Sequence, residues 1–408
     1  MYSKELAEMG VVLFRQQNES GGIKPHLFVR FKSVFGNLVT FAIDTTRIAQ
    51  KSLQPDAYLI THAHSDHYGK SAMLSEQAWC SSETAKALEI RYEKNYLGNT
   101  FELGETFLAG GVCVQTFPVH HTAGATAFYW ENEVGTRILV TGDVKDACCL
   151  PPCDVLITEA SYGDPEDFGC YFDDDIEGIE EAILANIGKK EIAFGAYEFG
   201  KAQKAVTVIR QLGYNGPIAM NEKTLRLTEQ FTDSAGELVL ISEKREAAAA
   251  ENGEMTTAEN EEFAAAGNGE IDVAGKETIR CGISVVPPHV LSEMNLETQK
   301  YVLTCRTDYP FQNIRLSDHL DVNGLTRMVQ NLNPKVTVVY HPNNSPRTKK
   351  FAKHLNKTGF LAVSLQDIKN IVGNGKQNGA QKTSADPISP QNPYEEIRDE
   401  REIKSQAV

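Results

Sequence analysis

At 408 residues, 41% of them hydrophobic, the chain is long enough for two or three domains and apolar enough to fill their cores. A formal charge of −15 argues at first sight against a nucleic-acid partner, and eight cysteines are too sparse for a disulfide scaffold. No apolar run approaches the roughly 20 residues that cross a bilayer, and "MYSKELAEMGVVLF" lacks the parts of a signal peptide, so a cytoplasmic setting with reduced thiols is expected.

In chain order, short apolar runs that read as buried strands end in chemistry-bearing residues. "AYLI" (57–60) runs into "THAHSDH" (61–67), which holds three of the ten histidines in seven positions. "SAMLSEQA" (71–78) reads as a helix. "VCVQTFPVHH" ends in His120 and His121, and "RILVTGD" ends in Asp143. Cys148, Cys149 and Cys153 follow without CxxC spacing, which favours a structural role. "DVLITEA" carries Glu159, "DIEGIEEAILANIG" and "KAQKAVTVIRQLG" read as helices, and residues 243–277 hold ten acidic against three basic residues, a net charge of −7. That stretch is too poor in large apolar residues to bury a core and is expected to be a disordered insertion. "HLDVNGLTRMVQNL" reads as a helix and "VTVVYH" as a strand ending in His341. The basic "RTKKFAKHLNK" (347–357) suits a solvated helix face or phosphate contact equally. A disordered tail is expected from Gly373, its last residues "YEEIRDEREIKSQ" forming a short helix. His26, His289 and His354 have no motif around them and are expected at the surface.

This is a mixed α/β pattern in which distant strands deliver polar residues to one sheet edge. On extended backbone His62 and His64 project to the same side and can grip one cation, while Asp66 and His67 on the following turn reach a second. His121, Asp143 and His341 supply further donors, and Asp143 is suited to bridge two ions about 3.5–4 Å apart. Imidazole and carboxylate suit zinc, with manganese or iron as alternatives. Of the two adjacent histidines, His121 has the three-residue spacing to Gly124 that favours it over His120.

These residues resemble the metallo-β-lactamase superfamily: "HAHSDH" is similar to its HxHxDH signature, "HTAG" (121–124) to its third motif and "TGD" to its fourth, with Asp44 of "TFAIDTT" matching its early, hydrogen-bonding aspartate. Further on the chain resembles the β-CASP nucleases, through "TEASYGDP" with Glu159, "LSDHLD" with His319, "VVYH" with His341, and "FGKAQ" at a helix start. His341 is followed by Pro-Asn-Asn where many members have Gly-Glu. The resemblance spans about residues 10–372 and implies an αββα sandwich formed by 1–162 and 311–372, a smaller α/β cap at 163–310, and a tail at 373–408.

The resemblance also implies the chemistry, with Asp66, Glu159 and His319 as catalytic residues and His62, His64, Asp66, His67, His121, Asp143 and His341 holding two zinc ions. The expected reaction is hydrolysis of nucleic-acid phosphodiesters by a metal-activated hydroxide, with His319 protonating the leaving oxygen beside Glu159. Single-stranded RNA is the favoured substrate, as in messenger-RNA 3′-end processing factors, and partners would be a second copy or processing subunits. The alternatives are a 5′ DNA exonuclease, similar to the ligase-associated enzymes; a hydrolase of small esters, thioesters or lactams, which would need neither Glu159 nor His319; and a non-catalytic scaffold subunit, which would not need the intact ligand set.

Overall fold

The computed structural model describes residues 2–17, 22–24, 26–49, 53–241, 270–273, 276–280, 282–342 and 345–373. Among the described residues, two seven-stranded sheets and one six-stranded sheet account for all strands but one antiparallel pair, Glu270–Val273 with Lys276–Arg280. The rest of the acidic stretch 243–277 and the tail from 374, for which disorder and a short helix were expected, lie outside the described residues.

The first sheet runs in the order Ile371–Gly373, Val11–Gln17, Leu27–Lys32, Leu38–Ile43, Ala57–Leu59, Ala78–Ser81, Asn99–Phe101. It is antiparallel across 11–43 and parallel from there to its 99–101 edge. The second runs Ala362–Ser364, Val336–Val339, Val155–Thr158, Arg137–Val140, Thr126–Glu131, Val112–Pro118, Thr106–Ala109. Alternate residues of both sheets meet in one core, with Leu13, Phe31, Phe41 and Leu59 from one side and Phe128, Trp130, Ile138 and Val338 from the other. At its centre Trp130 lies 5.6 Å from the Phe31 ring and 5.2 Å from that of Phe41. Such pairs contribute about 0.5–1.5 kcal/mol each beyond area burial.

Helices cover both outer faces. Ser82–Tyr92 packs Ala85, Leu88 and Ile90 on the first sheet, and Val322–Leu332 with Arg347–Lys357 pack Leu325, Val329, Phe351 and Leu355 on the second. The result is the expected αββα sandwich. The helix expected at 71–78 is instead a single turn, Gly69–Ala72. Ala78 is drawn into the sheet by parallel pairing with Tyr58, and tertiary pairing overrides local helix propensity.

The third sheet is wholly parallel, in the order Leu238–Leu240, Ile218–Met220, Ile283–Val286, Ile192–Gly195, Gln299–Leu303, Gln312–Ile314. Its central strands Ile192–Gly195 and Ile283–Val286 are short, mostly apolar and fully buried, as strands covered on both faces require, while the edge strand Gln312–Ile314 is polar and largely exposed. Ile176–Asn186 and Lys201–Gln211 supply a core of their own on one face.

Candidate metal centre and acid–base pair

The strand Ala57–Leu59 ends just before Thr61, and extended backbone carries His62 and His64 before one 3-10 turn, Ser65–His67, presents Asp66 and His67. The loop is held from below by Asp44. This residue follows the strand Leu38–Ile43 with φ +46, a left-handed conformation that costs a non-glycine residue about 1–3 kcal/mol. The cost is offset because its buried carboxylate accepts from Thr61 N–H (2.9 Å), Thr61 Oγ1–H (2.7 Å) and His67 Nδ1–H (2.7 Å). Gly142 is required opposite. Its φ is +60, and a Cβ there would meet Thr61 Cβ at 2.5 Å, so only glycine lets "TGD" bring Asp143 against the histidines.

Hydrogen-bond partners fix the imidazole tautomers. His64 Nε2 donates to the Phe199 carbonyl (3.0 Å) and His121 Nδ1 to the Asp318 carbonyl (2.7 Å). The Thr61 hydroxyl gives its proton to Asp44 and so accepts from His62 Nδ1 (3.0 Å). Three bare nitrogens therefore converge, with His64 Nδ1 3.1 Å from His62 Nε2 and 3.0 Å from His121 Nε2. Burial pushes the pKa of all three rings down, so no proton relieves the facing lone pairs. Asp143 Oδ2 lies 3.7 Å from His62 Nε2 and 3.6 Å from His121 Nε2, completing a four-ligand cluster. Tetrahedral Zn–N bonds of 2.0–2.1 Å would set such nitrogens about 3.4 Å apart, so the cluster fits a small divalent cation.

A second cluster adjoins it, formed by Asp66, His67 and His341. His67 Nε2 is buried without a hydrogen-bond partner, 3.3 Å from Asp143 Oδ2. A ring nitrogen facing a carboxylate oxygen needs positive charge between them, from a proton or a metal ion. Burial opposes protonation of His67, but Asp143 and Asp44 outweigh it and raise its pKa well above the ordinary value. Burial likewise opposes the charge of Asp143, and His67, His319 and His341 hold its carboxyl well below the usual range. His341 Nε2 lies 3.9 Å from Asp66 Oδ2 and 4.0 Å from Asp143 Oδ1, which puts Asp143 between the clusters.

Beside them, buried Glu159 is gripped by Val144 N–H on Oε1 (2.7 Å) and Ser161 N–H on Oε2 (3.0 Å), while His319 Nδ1 donates to both oxygens at 2.9 and 3.0 Å. Burial alone would lower the His319 pKa. The charge and hydrogen bonds of Glu159, with Asp143 and Asp318 nearby, outweigh it and lift the pKa to about 9. The His319 ring centroid is 4.5 Å from that of His121. A protonated imidazole thus borders the four-ligand cluster.

Comparison with known proteins bears on this site. Residues 40–191 match the model of the metallo-beta-lactamase superfamily. The match takes in Asp44, the HxHxDH loop, His121, Asp143 and Glu159. The chain is 32% identical over 188 residues to Exodeoxyribonuclease WalJ of Streptococcus pneumoniae serotype 2, covering 41% of this chain and 64% of that one. It is 22% identical over 317 residues to a protein named Probable DNA ligase of Opitutus terrae (75% and 28%), and 25% identical over 191 residues to the DNA cross-link repair 1A protein of Gallus gallus (42% and 19%). The chain therefore spans less than two thirds of these relatives' length. The structure of a protein of unknown function from Enterococcus faecalis V583 has the same fold, with a TM-score of 0.56, 12% identity, and coverage of 86% of this chain and 97% of that one.

All nine site residues expected from the sequence lie together at the edge of the αββα sandwich. His120 does not join them, being exposed at φ +54. The reading of His26 as a surface residue is corrected: it is 3% exposed, and its ring meets Tyr68 edge-on at 4.5 Å. His354 is half-buried against Phe351, and His289 is exposed. Among the described residues the cysteines are free, with Cys153 buried and Cys148 and Cys149 exposed. Sequence reasoning missed Thr61, which fixes His62, and the carbonyls of Phe199 and Asp318. A backbone carbonyl leaves no mark in the residue type, so no local signal could have found the last two.

Proposed function

We propose that this chain is a metal-dependent nuclease of the β-CASP type that hydrolyses phosphodiester bonds of nucleic acid, with His62, His64, His121 and Asp143 holding one zinc ion and Asp66, His67, Asp143 and His341 a second. The observation that carries this reading is the Glu159–His319 pair beside the histidine cluster, since hydrolysis of a small ester at two ions calls for no such acid. Bound ions would lower the pKa of a water toward about 7 and polarise the phosphoryl oxygens. The chain does the rest. Glu159 keeps His319 protonated at neutral pH and orients it through Nδ1, leaving Nε2 to give its proton to the departing oxygen. Asp66, whose side chain is 42% exposed, borders the open side and serves as a proton acceptor for the attacking water.

The motif series favours RNA. The names of the relatives, an exodeoxyribonuclease, a DNA ligase and a DNA cross-link repair protein, favour DNA, and on that ground the substrate we propose is single-stranded DNA, with RNA as the second reading. End-labelled single strands of matched sequence decide between them. Zinc- or manganese-loaded protein should shorten the DNA at least tenfold faster than the RNA, and a chelator should stop it. The reverse order returns the substrate to RNA. Cleavage of a small thioester but of neither polymer would refute the nuclease reading.

A further inference from the structure

Lys201 opens the helix Lys201–Gln211 and is 4% exposed, yet among the described residues its ammonium makes no ion pair or hydrogen bond. A buried ammonium without a counter-charge is unusual, because burial removes hydration that nothing replaces. The ring of Tyr197 faces it, its centroid 5.2 Å from Nζ, and the buried Cys305 thiol lies within its field, but a ring face and a thiol compensate only part of the lost hydration. Tyr197 itself is 43% exposed. Its hydroxyl meets that of Tyr309 at 3.1 Å, and the Arg306 guanidinium lies 5.7 Å over the Tyr309 ring. Asp308 already pairs with Arg306, so Lys201 is the cation of this group still lacking an anion.

The group borders the metal cluster. Phe199, two residues from each of Tyr197 and Lys201, gives the carbonyl that fixes His64, and at Gly200 a Cβ would meet the Asp318 carboxylate at 3.2 Å, beside His319. A positive helix end adds to the field of Lys201. An unpaired cation and two half-open aromatic rings beside a phosphodiester-cleaving centre match the two parts of one nucleotide: a phosphate for the ammonium and a base for the rings.

Resting on the nuclease reading, we propose that Lys201, Tyr197 and Tyr309 form a clamp for one nucleotide of a single strand, in which Lys201 binds a backbone phosphate and the tyrosines stack its unpaired base. The test uses the full zinc-loaded chain and a single-stranded decadeoxynucleotide with phosphorothioate linkages and 2-aminopurine bases, whose fluorescence falls on stacking. Binding to wild type should quench it at least twofold. Lys201→Met should weaken affinity at least tenfold and reduce the slope of log K against log salt by about 0.7, one phosphate contact on a single strand. Lys201→Arg should retain most of the affinity. Tyr197→Leu should remove the quench and weaken binding about fivefold or more, while Tyr197→Phe keeps both. Because Lys201→Met removes an unpaired buried charge, it should melt at or above the wild-type temperature; melting far below it would mark Lys201 as structural and overturn the clamp. If wild type binds the probe and cleaves the same sequence with ordinary linkages, but the Met and Leu variants bind as wild type does, the clamp falls and the nuclease reading stands. If wild type neither binds nor cleaves, the nuclease reading falls and takes the clamp with it.

Discussion

At the scale of single residues, the proposed function assigns one set of groups to hold cations and another, His319, to move a proton. His319 touches Glu159 through Nδ1; with Glu159 and Asp143 it forms a third group of potential ligands, but it lies outside the two clusters proposed to hold zinc. His319→Ala should therefore keep its zinc content while turnover falls about 10²–10⁴-fold, measured by elemental analysis and by the release of labelled nucleotide. Wild-type turnover would remove His319 from the chemistry. His26 makes a different prediction. Burial, with a smaller contribution from Lys24, pushes its pKa down to about 3, so the folded state keeps it neutral where the unfolded chain takes up a proton. The folded pKa lies below the unfolded value of about 6.5, so this stability is complete above 6.5 and is lost as pH falls toward 3. Lowering the pH from 7.5 to 5.5 should cost wild type about 1 kcal/mol more than His26→Phe, read from urea midpoints, and equal losses would contradict this account of its burial.

At the scale of elements, the strand ends carry the site and their glycines permit it. Gly142→Ala places a Cβ into Thr61 at positive φ, so it should lower stability by about 2 kcal/mol or more and reduce bound zinc, because Asp143 follows directly. An alanine variant with wild-type melting and zinc content would contradict that. Much of this was legible in the sequence, since apolar runs such as "RILV" and "VTVV" form buried strands and each leads to the polar residue that its spacing suggested. The failures have a common cause. The turn at 69–72, the burial of His26 and the hydrogen bond of His64 to a carbonyl 135 residues away are set by neighbours distant in sequence, which no local window contains.

At the scale of the whole molecule, the buried apolar side chains of the described residues fall into five clusters, so changes far from the site can be absorbed. The strands Leu238–Leu240 and Ile283–Val286 flank Ile218–Met220 in parallel, so any linker put between them needs about a dozen residues to return to the start of the sheet. Replacing residues 243–277 by a Gly/Ser linker of about that length should leave the melting temperature nearly unchanged, since the stretch is poor in large apolar residues. Removing its net charge of −7 should strengthen nucleic-acid binding at low salt. Loss of cooperative melting would show that the segment packs.

If the two clusters that meet at Asp143 hold one ion each, as proposed, the metal content of the purified chain after zinc loading and exhaustive dialysis shows it most directly. Two zinc ions per chain are expected for wild type, and fewer than one for Asp143→Ala, in which both clusters lose a ligand. Less than one zinc per wild-type chain, or an unchanged content in Asp143→Ala, would contradict the account.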